Sequence, residues 1–266
     1  MHLRHLITGL TLALTVSLPL QAQMPADSPS ASGGPRAPQM ADLPVWSVGG
    51  GVLFSTSAIR GSDTEVFPVP VITYQGERFF IEGTTAGVRL YREEGIELAA
   101  ILTPEFTSWD ADDDPFLAGM QDRDISADAG LRLRVPLGDY VLFATARQDL
   151  LDESGGQLVS LKGVRTFQHK GWRFTPGLEV EWLSGERAEW YYGVQNNEAR
   201  AGRPAYDPGG SFAYSADLSV SYRFGETRWS AFGNVAGTLL GGDLRDSPIT
   251  DEDWESTVIL GASYRF

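Results

Sequence analysis

Cysteine is absent from the 266 residues. That excludes disulfides, thiolate zinc sites and cysteine nucleophiles, whatever the compartment. Basic residues are scarce: 21 Lys and Arg stand against 35 Asp and Glu for a net charge of -14, and Lys162 and Lys170 are the only lysines. With no basic patch to neutralise phosphates, a nucleic-acid partner is excluded. Histidine is almost missing as well, since His2 and His5 sit at the start of the chain and leave only His169 beyond it. Long apolar runs are missing too. Past residue 22 nothing approaches the roughly 18 consecutive apolar residues of a membrane helix, and no segment shows the 3.6-residue period of an amphipathic one.

What the chain does contain is 30 Gly with 7 Trp, 9 Tyr and 13 Phe. Glycine serves turns and sharp bends, and aromatics collect at membrane interfaces, a combination that suits a membrane β-barrel. Residues 1–22 have the form of a secretory signal, with basic Arg4, an apolar stretch Leu6 to Leu18, and Leu20-Gln21-Ala22 before the expected cut. An uncleaved anchor is the alternative, but about 13 apolar residues fall short of the roughly 20 needed to span. Residues 23–44 are rich in Pro, Ala, Ser and Gly and cannot repay their ordering entropy, so a disordered periplasmic lead-in is expected there.

From residue 45 the hydrophobic period is two. Trp172, Phe174, Leu178, Val180 and Trp182 alternate with Arg173, Thr175, Glu179 and Glu181, and Phe212 to Phe224 repeats the pattern. Twelve strands are expected, at 45–57, 65–74, 77–83, 86–92, 95–107, 125–136, 139–148, 157–168, 171–183, 211–224, 227–239 and 254–266. Connections after even-numbered strands are tight, such as Gln75-Gly76, Leu137-Gly138 and Gly225-Glu226. Those after odd-numbered strands are mostly long and polar, at 58–64, 108–124, 149–156, 184–210 and 240–253. Short periplasmic turns opposite longer extracellular loops define an antiparallel transmembrane β-barrel of the outer membrane. The link at Thr84-Thr85 breaks the parity, and residues 77–92 are open to a reading as one long strand. Pro68 and Pro70 cannot donate ladder hydrogen bonds, which predicts a bulge in the second strand. The orientation of 157–168 is left open.

Alternation places charged residues such as Asp128, Arg132, Arg147, Glu179, Glu181, Asp217 and Glu255 inside, because a charge facing lipid costs about 2–4 kcal/mol at the midplane. With both signs present, the lumen either fills with ion pairs or leaves a narrow water path. A secreted β-sandwich would explain the alternation, but not the loop parity or the final Tyr264-Arg265-Phe266, which resembles the closing-strand ending read by the outer-membrane assembly machinery. Tyr264 and Phe266 are therefore the expected assembly signal.

Chemistry is sparse. His169 falls in a periplasmic turn far from the rim where barrel enzymes keep their sites, and no carboxylate is paired with a nucleophile, so the chain reads as a non-enzyme with no cofactor. Asp110, Asp112, Asp113 and Asp114, with Asp122 and Asp124 nearby, lack the EF-hand spacing and read as a solvated acidic loop rather than a metal site; bound divalent ions there would bridge to lipopolysaccharide. Trp190, Tyr191, Tyr192 and Tyr206 in the 184–210 loop are the candidate contact surface, or else a lid over the mouth or part of the interfacial girdle.

Tyr191-Tyr192-Gly193-Val194, Glu198-Ala199 and Tyr206, then Asp246-Ser247-Pro248-Ile249 and Gly261-Ala262-Ser263-Tyr264-Arg265-Phe266, together resemble the MipA/OmpV family, as do Leu43 to Gly51 and Pro68 to Tyr74. The likeness covers about 45–266. It implies an outer-membrane barrel named for interaction with a lytic murein transglycosylase, acting as a scaffold that joins that enzyme to a peptidoglycan synthase. Other members are adhesion or osmotic-response proteins. No catalytic residues come with the family. A small-solute channel and a surface adhesin using loops 108–124 and 184–210 are the alternatives.

Overall fold

A computed structural model of the protein describes residues 45–62 and 64–266. The expected signal and lead-in lie outside these residues. The chain forms β1 (Val45–Thr56), β2 (Glu65–Gln75), β3 (Phe79–Glu82), β4 (Thr85–Glu93), β5 (Ile96–Glu105), β6 (Ser126–Leu137), β7 (Tyr140–Asp149), β8 (Gln157–Arg165), β9 (Phe167–His169), β10 (Trp172–Leu183), α1 (Gly185–Tyr192), β11 (Ser211–Arg223), β12 (Trp229–Leu240), α2 (Gly242–Arg245) and β13 (Trp254–Arg265). β8 and β9 both pair with β10 and are two pieces of one strand interrupted at Thr166. Each strand pairs antiparallel with its sequence neighbours, and β13 closes on β1 from Ser47↔Arg265 to Thr56↔Ser256. The result is a closed twelve-strand barrel. Closure of β13 on β1 removes the two free sheet edges that hydrocarbon cannot satisfy, apart from one gap between β2 and β5.

The alternation sets the two faces as the sequence requires. Leu178 on β10 is 70% exposed on the lipid face, while Glu179 beside it is 7% exposed in the lumen. On β8, Val159 and Leu161 face out and Leu158, Ser160 and Lys162 face in, which settles that strand. Paired aromatics girdle the short-turn, periplasmic end: Trp46 with Tyr74 at 4.4 Å, Trp172 with Tyr222 at 4.7 Å, and Trp229 with Tyr264 at 5.2 Å between ring centroids. In the lumen, the Phe232 ring lies over Gly261 directly opposite it, where a Cβ would come within 2.4 Å of the ring; Phe80 covers Gly87 in the same way at 2.1 Å.

In the N-terminal half one open question is settled and one expectation, the bulge in β2, needs correction. Residues 77–92 form two strands, turning tightly at Gly83-Thr84 with Glu82↔Thr85 paired. Their hairpin is short and its turn stops partway up the wall, which is why that loop breaks the parity. The prolines of β2 cause no bulge, since the register with β1 runs unbroken from Val45↔Gln75 to Ser55↔Glu65. The register shift lies instead in β4, between Arg89 and Tyr91.

The short hairpin explains the prolines. β2 pairs with β3 only through Thr73, Tyr74 and Gln75, so Val66 to Ile72 have a ladder partner on the β1 side alone. The bond from Gly76 N–H to Phe79 O shows that even-numbered residues of this segment point their backbone groups toward β3. Pro68 and Pro70 therefore turn their imide nitrogens to the unpaired edge. Across the gap, Pro104 does the same on β5. It pairs with Ala127, whose carbonyl is taken by Leu150 N–H on the other side. The wall thus has a notch between β2 and β5, and three prolines remove the N–H donors that would otherwise point into it.

Candidate functional site

The long loops do not stand apart from the barrel; they pack into a cap over its extracellular mouth. Ser184 caps α1, its Oγ accepting from Arg187 N–H at 3.5 Å and from Gln157 N–H at 2.9 Å. Gly156 lets the helix approach the wall, since a Cβ there would lie 2.5 Å from the Arg187 backbone N. This seating aims Arg187 down into the lumen. Its guanidinium donates to both carboxylate oxygens of Asp128, at 3.1 and 3.0 Å, and to Glu105. Arg147 adds a pair to Asp128 at 3.2 Å and lies 3.9 Å from Glu181. Below them Lys162 bridges Asp217 at 2.7 Å and Glu179 at 3.5 Å. All these side chains are at least 91% removed from solvent. The extracellular half of the lumen is consequently filled; a water path would leave these charges accessible.

Above this layer, Arg123 is the keystone of the cap. It donates to both oxygens of Glu198 at 3.0 Å, to Trp190 O at 2.5 Å and to Gln121 O at 2.6 Å. Its guanidinium lies 5.0 Å from the Trp109 ring centroid and 4.4 Å from that of Trp190. Glu198 also accepts from the N–H groups of Gln121 at 2.9 Å and Gln195 at 3.0 Å. Desolvation raises the Glu198 pKa, but these N–H donors and Arg123 outweigh it and hold the carboxyl below its ordinary range. Arg203 binds the carbonyls of Phe116 and Glu198. Loop 57–64 joins through Arg60 N–H to Ile249 O at 2.9 Å, bringing the 246–253 segment with it.

Of the candidate contact aromatics, Tyr191 and Tyr192 are 1% and 0% exposed in the apolar centre of the cap, with Trp190 and Tyr206 packed at its margin. Tyr206 OH donates to Asp243 O at 2.7 Å. The loop folds over the mouth, and Tyr191 and Tyr192 are closed off from solvent in this arrangement. Tyr264 and Phe266, the residues expected to signal assembly, sit at the periplasmic rim, with Tyr264 edge-on to Phe266 at 5.2 Å and Phe266 N–H bonded to Trp46 O. The acidic loop spends carboxylates on its own backbone: Asp122 accepts from Ala111 N–H and Asp114 from Phe116 N–H. Burial and then the charges of Asp122, Asp113, Asp124 and Asp112 raise the Asp110 pKa. Among the described residues no group of three or more His, Asp or Glu has metal-holding geometry. His169 is exposed on β9.

Arg123, Arg187 and Arg203, the residues that hold the lid, were not among the expected site residues. The signal was present as three arginines within strongly acidic or aromatic loops, since a buried arginine there must find carboxylates or carbonyls.

The family model for the MltA-interacting protein MipA matches residues 48–266. The MltA-interacting protein of Escherichia coli K12 is 32% identical over 225 residues, covering 83% of this chain and 90% of that protein. The outer membrane protein OmpV of Vibrio cholerae is 26% identical, covering 83% and 86%. Among solved structures, an outer-membrane channel from Pseudomonas putida F1 aligns with a TM-score of 0.42 at 12% identity over 84% of this chain and 95% of that one. These relatives are named as interacting or outer-membrane proteins and not as enzymes. The twelve-strand barrel, its capped mouth and the match along nearly all of the described residues agree: this chain is an outer-membrane β-barrel and belongs to the MltA-interacting protein MipA family.

Proposed function

We propose that this barrel is a non-conducting, non-enzymatic scaffold whose working face is the periplasmic end, where it holds cell-wall machinery against the outer membrane. The observation that carries this is the filled lumen under a packed cap. Buried ion pairs and a bound lid at the outer mouth weigh against a solute pore, and the burial of Tyr191 and Tyr192 weighs against an adhesin built on that loop. The ordered surface that faces a periplasmic partner is the rim of short turns at the other end of the barrel. The relative named for interacting with MltA supports a murein transglycosylase as one partner, and the family resemblance supports a peptidoglycan synthase as the second.

Photo-crosslinkers placed singly at Glu94, Asp139 and Lys170, on three periplasmic turns, test this in cells. Capture of a murein transglycosylase or a peptidoglycan synthase is expected from at least one position. Recovery of neither, with the folded barrel at normal abundance, contradicts the scaffold.

A further inference from the structure

The notch between β2 and β5 is framed on every side, which makes it a window in the barrel wall. From Val66 to Ile72 the free edge of β2 runs roughly 20 Å, at about 3.3 Å per residue. The Gly83-Thr84 turn and the bond from Thr85 Oγ1 to Thr103 Oγ1 at 3.1 Å close it below. Above, Arg60 lies over the Phe116 ring at 4.7 Å and Gly61 abuts Asp113 and Asp114, so the loops span the top. The window faces hydrocarbon. Its lower end is just above the Trp46–Tyr74 pair of the girdle. Pro68 shares a row with Val52 and Leu260, and Val66 with Phe54 and Val258, all on the lipid face.

The inner surface behind the window is apolar. Phe67, Val69 and Val71 point inward from β2 and cluster with Leu53, Phe232 and Ile259 of β1, β12 and β13. Phe80, Ala99 and Ile101 form a second buried cluster on β3 and β5. The ion pairs of Asp128, Arg147, Lys162 and Asp217 stand on the other arc of the wall, from β6 to β11. Phe106 ties the two edges of the window together. Glu105 points inward, so alternation sends Phe106 outward, yet its ring packs against the cluster of β1, β2, β12 and β13. β5 and β2 are not hydrogen-bonded neighbours, so that contact crosses the notch. Phe67, Val69 and Phe106 are only half-buried.

We propose that the window is a groove for one acyl chain of a surrounding membrane lipid, laid against Phe67, Val69 and Phe106. Its level in the wall puts lipid tails against it and keeps soluble ligands away. Its edges refuse an added strand from another protein or a second copy, since strand addition needs N–H donors alternating with carbonyls. Pro68, Pro70 and Pro104 have none to offer. An alkyl chain needs neither donor nor acceptor, and it covers the half-buried rings with apolar surface. The groove ends on the packed cluster, where Leu53 and Ile259 are 1% and 3% exposed. The chain therefore rests in the wall without opening a pore, and the site stands independently of the scaffold reading.

Photolabelling of the folded barrel in vesicles tests this, using a phosphatidylcholine with a diazirine midway along one acyl chain and mapping adducts by mass spectrometry. Val52 and Leu260 on the lipid face are expected to be labelled, and so is Phe67, although it points inward. Ala236, inward on β12 where the wall is continuous, is expected to stay unlabelled. Val69→Trp fills the groove and is expected to lower labelling of Phe67 at least fivefold while Val52 is unchanged. Labelled Val52 and Leu260 with no adduct on Phe67 overturn the site, and the parent protein alone gives that result if the variant fails to fold. A protein strand seated in the window would exclude the probe in the same way. Equal labelling of Ala236 and Phe67 also overturns it, because chains would then enter the lumen without the window. Undiminished labelling of Phe67 in folded Val69→Trp does the same.

Discussion

At the residue scale, the cap depends on a buried charge pair. Arg123 is 1% exposed and Glu198 is 4% exposed, and Arg123 has no other carboxylate in its hydrogen-bond set. Removing one partner of a buried pair costs about 3–5 kcal/mol, because the other is left uncompensated. Glu198→Gln is therefore expected to lose amide-exchange protection at Val194, Tyr206 and Trp109 while the barrel strands keep theirs; equal protection in both proteins would show that the pair does not hold the lid. Acid acts on the same bond with a definite sign. The folded Glu198 pKa lies below its ordinary value of 4.5, so its contribution is complete above that value and is lost as pH falls through the folded value. Cap protection should hold from neutral pH down to about pH 4.5 and fall below it, ahead of the barrel. The arginine in an acidic loop was legible, but its partner was not, since a tertiary contact between residues 75 apart in sequence has no period to reveal it.

At the element scale, strand boundaries and faces were legible because period two is imposed separately on every strand by lipid on one side and lumen on the other. The twelve expected segments each correspond to a strand, including the divided 77–92 region. What alternation did not reveal is the height of each strand in the wall. Pro68 and Pro70 read as a defect in pairing, whereas they mark an edge with nothing to pair to. This gives an unusual expectation. Replacing both with valine, a stronger strand former, adds two N–H donors facing the notch within the hydrocarbon, each costing about 1–3 kcal/mol when unsatisfied. Loss of proline rigidity alone costs about 0.4–1 kcal/mol per site. Urea unfolding of the Pro68→Val/Pro70→Val variant in phospholipid vesicles should show a loss exceeding ~2 kcal/mol, and unchanged or higher stability would mean that the edge is satisfied by another group.

At the scale of the whole molecule, charge and packing are divided along the barrel axis. The extracellular end is acidic on its loops and sealed by the apolar centre of the cap; the middle is filled by the Asp128 and Lys162 ion pairs; the periplasmic end opens into a cavity lined by arginine. Composition alone set the balance of charge, but its axial division emerges only when strands bring distant residues to one level. The sequence likewise left open whether twelve strands enclose a water path. Side-chain volume from α1 bears on that question in a way the strands do not show, because Arg187 enters the lumen from a loop and not from the wall. The closed lumen is the central claim, and single-channel recording in planar bilayers tests it most directly. The folded barrel should give no unitary current steps at moderate voltage, and stable, reproducible conductance steps from the purified protein would contradict the sealed barrel.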